Sequence, residues 1–255
     1  MKRSLVKVLI LPIFISCCSL VHADEDIYKT RYTCFDLKGG ERWQAEVDIK
    51  KSGREGVYLL TEKGEGIYTG FDGRIRWKSE MEFESDASGV RPLVCVRRIF
   101  DKDGNALAVQ TQRFDLEDGK AVIIAEDLAK GTKKQKTFRF KNDPVNRLLL
   151  GLYIRKFLER GKRDARIDLF SNEPAHYKVD LRVIDTGKIE INGRQKETFR
   201  LCLDPDLGLF GIVKFVLPKA YVWHSTAPEY KWLRYKGLER GPGSPKVEIR
   251  TMEKT

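Results

Sequence analysis

The chain is poor in the residues that carry out chemistry. It has three histidines in 255 residues. One of these, His22, sits in a segment expected to be removed, which leaves His176 and His224. No His-Glu-x-x-His or equivalent ligand spacing occurs, so no metal is expected. Gly-x-Ser-x-Gly is missing too. The nearest candidate, Gly241-Pro242-Gly243-Ser244-Pro245, has prolines that cannot build a strand-to-helix elbow. Gly64, Gly66 and Gly70 miss the dinucleotide spacing and no helix follows them. His224 and Ser225 are neighbours on a strand, where side chains point to opposite faces. No cofactor and no catalytic motif are therefore expected. A pair of carboxylates meeting in space stays open, because sequence does not show such pairs.

Other absences bound the architecture. No stretch rich in proline, glycine or serine splits the chain, so residues 24–255 are expected to form one domain. Only one apolar run exists, and it lies at the extreme N-terminus, which excludes a polytopic helical membrane protein. In that segment Lys2, Arg3 and Lys7 precede an apolar stretch from Leu5 to Ile15. The stretch is about eleven residues long, short of the roughly 20 that cross a hydrocarbon core. Val21-His22-Ala23 then puts small residues at the cleavage positions. This pattern predicts a signal peptide over residues 1–23, cut after Ala23, and a periplasmic protein. An alternative cut would leave an acylated Cys17, since Phe14-Ile15-Ser16-Cys17 loosely fits a lipoprotein box.

The cut changes both charge and cysteine usage. Loss of three basic residues takes the formal charge from +11 to +8. For an exported protein, anionic lipid or another acidic envelope component is a better-fitting partner than nucleic acid, which is not expected. Peripheral membrane contact fits the same charge, and no protein partner is identified. Cys34, Cys95 and Cys202 remain, in a compartment that permits disulfides. An odd number allows one bridge at most, and Cys34 with Cys95 is the expected pair. The other reading is three small buried hydrophobes.

Most of the mature chain alternates with a period of two. Trp43, Ala45, Val47 and Ile49 share one face, as do Ile75, Trp77, Met81 and Phe83. Similar runs occupy 57–62, 91–100, 106–115, 120–126 and 135–141. Asp103-Gly104-Asn105 and Asp118-Gly119 supply hairpin turns between three of them. Beyond the middle of the chain, runs at 177–183, 187–191, 195–203, 209–216, 219–225, 230–236 and 246–252 follow the same rule. Asn192-Gly193 is the strongest hairpin signal.

One segment breaks the alternation. Asp143-Pro144 reads as an N-cap and first helical residue, and Gly161 as the stop. Between them the chain is apolar on most sides. Arg147, Gly151, Arg155 and Glu159 form a narrow stripe at i+4 spacing. A helix of this kind, over about 144–159, is buried on several sides. The basic residues from Arg155 to Arg166 mark its end and complement its dipole. The fold class expected is mainly β: a curved antiparallel sheet or half-open barrel of about a dozen strands around one central apolar helix.

The second half, about residues 140–252, resembles a family of uncharacterised exported proteins of Gram-negative bacteria, a domain of unknown function. The features that carry the resemblance are Asp143-Pro144 through Tyr153 and Arg155, then Asn192-Gly193, then Tyr221-Val222-Trp223. After Trp223 this chain has His224-Ser225-Thr226-Ala227-Pro228 where that family has an acidic residue. The resemblance implies a fold similar to the LolA/LolB lipoprotein carriers, a curved sheet around a helix-plugged apolar cavity. It does not imply their activity.

These features favour a non-enzymatic protein that binds a lipid or acyl chain in the concave face of its sheet. The expected lining is Leu149, Leu152 and Tyr153 of the helix, with Trp77 and Trp223. Arg155 and Lys156 are expected at the mouth, against an anionic head group. The alternative is an envelope scaffold or assembly factor with a fully packed core, acting through a protein partner.

Overall fold

The structure, a computed structural model, describes residues 28–171, 174–206, 219–241 and 243–252. The expected signal peptide and the expected strand at 209–216 lie outside these residues. Within them the chain is mainly β. The strands of the first half are β1 (Tyr28–Asp36), β2 (Glu41–Lys51), β3 (Val57–Ile67), β4 (Arg74–Ser85), β5 (Val90–Phe100), β6 (Ala106–Asp115), β7 (Lys120–Asp127) and β8 (Thr132–Arg139). A short β9 (Asp143–Asn146) leads through a 3-10 turn, Arg147–Leu149, into helix α1 (Leu150–Glu159). The chain then returns to strands: β10 (Asp164–Phe170), β11 (His176–Ile191), β12 (Arg194–Asp206), β13 (Ala220–Ser225), β14 (Trp232–Leu238) and β15 (Lys246–Met252).

All fifteen strands belong to one sheet, in the order β8-β7-β6-β5-β4-β3-β2-β1-β15-β14-β13-β12-β11-β10-β9. The first and last described strands pair with each other, so the two halves meet at β1–β15. Pairing is antiparallel throughout except for β9 with β10. Those two are parallel because the 3-10 turn and α1 form the crossover between them. Register shifts interrupt five of the ladders, in β1–β2, β4–β5, β5–β6, β11–β12 and β13–β14. Such bulges bend a strand and increase its twist, which lets so wide a sheet curl around α1.

Among the described residues no strand ladder closes the sheet; its two ends overlap instead. Phe170 of β10 is fully buried and packs edge-on against Phe114 of β6 and Phe138 of β8. Gln112 of β6 donates its Nε2 to the Ser171 carbonyl at 2.6 Å and accepts from Asn146 Nδ2 at 2.8 Å. At the same seam Asp168 accepts from the Lys141 and Asn142 backbone N–H groups, at 3.0 and 2.7 Å, and from Asn142 Nδ2 at 2.9 Å. His176 Nε2 lies 2.6 Å from its other oxygen. Adjacent residues of β10 serve opposite sides: Asp168 and Phe170 face the overlap, while Ile167 packs with the helix.

α1 lies in the concave face. Tyr153, Ile154, Phe157 and Leu158 pack against Ile167, Val179, Leu181, Leu201 and Val222 of β10–β13. Phe157 and Ile154 are fully covered, and each such side chain contributes about 1.5–3 kcal/mol by burial. Leu149, just before α1, packs the other way, into Val47, Ile49, Leu60, Met81 and Phe83 of β2–β4. The helix thus bridges two walls of the curl.

Several expectations need correction. The helix begins later than Asp143-Pro144 suggests. Asn146, extended at φ −78° and ψ 147°, is the cap, and its side chain accepts from the Leu148 N–H at 2.8 Å. Asp143 instead accepts from the Tyr153 hydroxyl at 2.8 Å. Proline is tolerated in β9 because β9 is an edge strand. β1, β9 and β10 are strands the alternation does not announce, and 177–183 and 187–191 are parts of one strand, β11, joined across the shift between Val183 and Asp185. The hairpin at Asn192-Gly193 stands as expected, with φ of 50° and 74°, both positive as a type I′ turn requires. Cys34, Cys95 and Cys202 are free and buried. The expected Cys34–Cys95 bridge does not form: three strands separate β1 from β5, each step is about 4.8 Å, and the thiols lie in different apolar clusters.

Candidate functional site

A cavity of about 600 Å³ runs between the helix and the concave face. That volume suits one small-molecule ligand, for which pockets of about 300–1,000 Å³ are usual. Its walls are mainly apolar. Tyr28, Tyr32, Val47, Ile49 and Leu60 line it from β1–β3. Leu148, Gly151 and Leu152 line it from the helix side, and Trp232 from β14. Trp232 stands edge-to-face on Tyr32 with ring centroids 4.8 Å apart. It also lies against Gly151, where an added Cβ would sit 3.4 Å from the indole. Glycine there widens the cavity where helix and indole meet.

Of the stripe Arg147, Gly151, Arg155 and Glu159 read from the sequence, the first three look onto this cavity, Arg147 from the 3-10 turn and the other two from α1, and Glu159 does not line it. Arg147 and Arg155 are eight residues apart, roughly 12 Å along a helix. Arg155, Glu229 and Lys231 line the cavity beside the start of β14, while Glu239 and Arg240 line it beyond the end of that strand. Arg155 is paired with Glu159 at 2.8 Å, and Lys231 with Glu229 at 2.6 Å.

Of the other residues singled out from sequence, Leu152 lines the cavity. Leu149 is buried beside it in the β2–β4 cluster, and Tyr153 faces β9 through Asp143. Lys156 pairs with Glu159 at 3.3 Å, outside the lining. Trp77 is buried one layer behind, in a cluster with Trp43, Tyr68 and Cys34. Trp223 lies on the convex face: its neighbour Val222 packs with the helix, so Trp223 points away, under the Arg234 guanidinium at 5.3 Å. Trp43 and Trp232 are the indoles that line the cavity. His224 is fully buried, and burial lowers its pKa to about 4. Its Nδ1 lies 2.7 Å from the Tyr230 carbonyl, which requires Nδ1–H as donor.

The deeper part of the site holds charge that periodicity alone does not single out. Register places Glu62, Ser79, Arg97 and Gln110 side by side across β3–β6, all buried. Glu62 accepts from Trp77 Nε1 and Ser79 Oγ, each at 3.0 Å, and from Arg147 Nη2 at 3.3 Å. Burial pushes its carboxyl up, but Arg147 and Arg97 outweigh that and hold it below the ordinary carboxylate value. Glu62 is therefore ionised. Arg97 stacks on Tyr68 and Trp77, with its guanidinium 4.9 and 5.3 Å from the ring centres. A second buried acid, Glu239, accepts from Trp43 Nε1 at 2.9 Å, from both ends of the Arg42 fork at 3.0 and 3.1 Å, and from Thr69. Burial raises its pKa, while the bonds from Arg42 and Thr69 bring it below the ordinary range. A signal for these residues exists in the sequence. Glu62 follows Leu60, and Arg97 follows Cys95, on the inward phase of their strands.

Among the described residues no group of His, Cys, Asp and Glu side chains is placed to hold a metal. Asp168 and His176 are engaged at the seam between the sheet ends. Comparison with protein families, with curated proteins and with solved structures finds no match to this chain.

Proposed function

We propose that this is a non-enzymatic, exported protein that binds a lipid or acyl chain in the concave face of its sheet. The cavity between helix and sheet carries the proposal. Its walls are mainly apolar, it is large enough for a single-chain amphiphile, and the helix lies in the curl without filling it. The resemblance to uncharacterised exported proteins, which implies a curved sheet around a helix-plugged apolar cavity, and an N-terminal segment with the pattern of a signal peptide fit the same reading. Anionic membrane lipid is then the natural source of ligand for a chain of formal charge +8 after the cut. The cavity weighs against the alternative of a scaffold with a fully packed core.

Displacement of a fluorescent acyl probe tests the proposal. Leu152 is partly exposed in the cavity, so Leu152→Trp adds bulk where space exists. The variant is expected to unfold cooperatively, like the parent, and to bind the probe at least tenfold more weakly. Equal probe binding by a cooperatively folded Leu152→Trp protein would show that the ligand does not occupy this cavity.

A further inference from the structure

The chemistry of the ligand's polar end follows from the buried charges, and this inference rests on the reading above. Arg97 is 3% exposed, and none of its three guanidinium nitrogens has a hydrogen-bond partner. A cation buried in that way is costly unless negative charge stands close by. Glu62 is close, but its hydrogen bonds go to Arg147, Trp77 and Ser79. Buried Arg97 and partly exposed Arg147 thus share one carboxylate, and the set Arg97, Arg147 and Glu62 carries one positive charge in excess. Arg147 is the cation of this set that reaches the cavity. Its side chain is 26% exposed, and its one bond to Glu62 engages only Nη2 of a five-donor fork.

We infer that the ligand is a single-chain amphiphile with one carboxylate, bound with that carboxylate against Arg147. The chain runs along Ile49, Leu60 and Leu152 toward Trp232. The ligand's charge goes to this end because the excess here is buried. At the other end Arg155 and Lys156 share Glu159, and Lys231 pairs with Glu229, but all of these side chains are partly or well exposed, so water screens their charge. The head-group role expected for Arg155 and Lys156 thus passes to Arg147, with Arg97 acting through its charge. A carboxylate matches the excess of one and fits an arginine fork with two parallel bonds. A phosphate monoester brings up to about two negative charges and over-compensates.

Calorimetric titration of the detergent-free protein at pH 7.5 tests this, with dodecanoate, 1-dodecanol, dodecyl phosphate and acetate as ligands. Dodecanoate is expected to bind one to one and about ten- to a hundredfold more tightly than dodecanol. Arg147→Met should bring dodecanoate down to the level of dodecanol, and Arg97→Met should weaken dodecanoate in the same direction. Each of these variants leaves one cation facing Glu62, so the interior stays balanced and the fold is retained. Glu62→Gln should act oppositely and tighten dodecanoate. Equal affinity for dodecanoate and dodecanol overturns this inference and leaves the apolar-ligand reading standing. Tighter binding of dodecyl phosphate overturns the carboxylate assignment. Acetate binding as tightly as dodecanoate points to a small-anion site and overturns the amphiphile. No binding of either chain overturns both the inference and the reading beneath it.

Discussion

Glu62→Gln is the substitution that most directly probes the buried charges. The amide keeps an oxygen for Trp77 Nε1 and Ser79 Oγ, both 3.0 Å from the same carboxylate oxygen, and shape changes little, but its NH2 stands where an oxygen accepts from Arg147 Nη2. What is lost is that bond and the charge that compensates Arg97 and Arg147. Removing one partner of a buried ion pair costs about 3–5 kcal/mol. With the Trp77 and Ser79 bonds retained, the lower end applies, about 3 kcal/mol. For a chain of this size that lowers Tm by roughly 6–12 °C. Urea unfolding at pH 7, followed by far-ultraviolet circular dichroism, reads the difference directly. The pH dependence gives a second check. The Glu62 carboxyl is held below its ordinary value. Its contribution is therefore fully present above the unfolded carboxylate pKa, about 4.3, and is lost as pH falls through the lower, folded value. The stabilities of parent and variant should converge on acidification. A loss below about 1 kcal/mol at pH 7, the size expected of a surface ion pair, would refute the argument that these charges depend on one another.

Asp168→Ala should cost about 3 kcal/mol in urea unfolding, because it strands the Lys141 and Asn142 donors inside the overlap of the sheet ends. Burial raises the Asp168 pKa, but the Asn142 backbone N–H and the His176 contact lower it further. Its share of stability is thus present at neutral pH and lost in acid, and the variant should lack that acid-sensitive component. Gly64→Ala should cost about 1–3 kcal/mol, since an added Cβ would lie 2.2 Å from the Trp77 ring; an altered near-ultraviolet tryptophan spectrum should accompany the loss. Burial pushes the Cys95 thiol up to about 12 and raises the Cys34 thiol as well. Neither should react with a thiol reagent at pH 8 in the folded protein, and Cys34, Cys95 and Cys202 should all react once it is denatured without reductant. Only one reactive thiol after denaturation would reveal a disulfide.

Much of the fold is written in local patterns. Alternation around Trp43 and Trp77 marks β2 and β4, and Asn192-Gly193 marks a hairpin, because each signal depends on neighbours in sequence. The errors arise where distant packing decides. Asp143-Pro144 has the chemistry of a helix start, yet pairing with β10 draws it into a strand and Asn146 takes over the cap. β10 is buried on both faces, at Ile167 and at Asp168 and Phe170, so no clean alternation marks it, and the basic residues around it read as a helix end. The site shows the same division. The stripe Arg147, Gly151 and Arg155 is visible at i+4 spacing, and it faces the cavity. The row Glu62, Ser79, Arg97 and Gln110 exists only through the registers of four strands. Trp223 is apolar and follows Val222, and no sequence pattern says which of those two faces inward.

Native mass spectrometry of the mature protein, exported in a Gram-negative host and purified without detergent, tests the central claim most directly. The account predicts a population carrying one bound mass that extracts into organic solvent and that Leu152→Trp abolishes. A bare protein mass at full occupancy, or an adduct carried equally by Leu152→Trp, would contradict it.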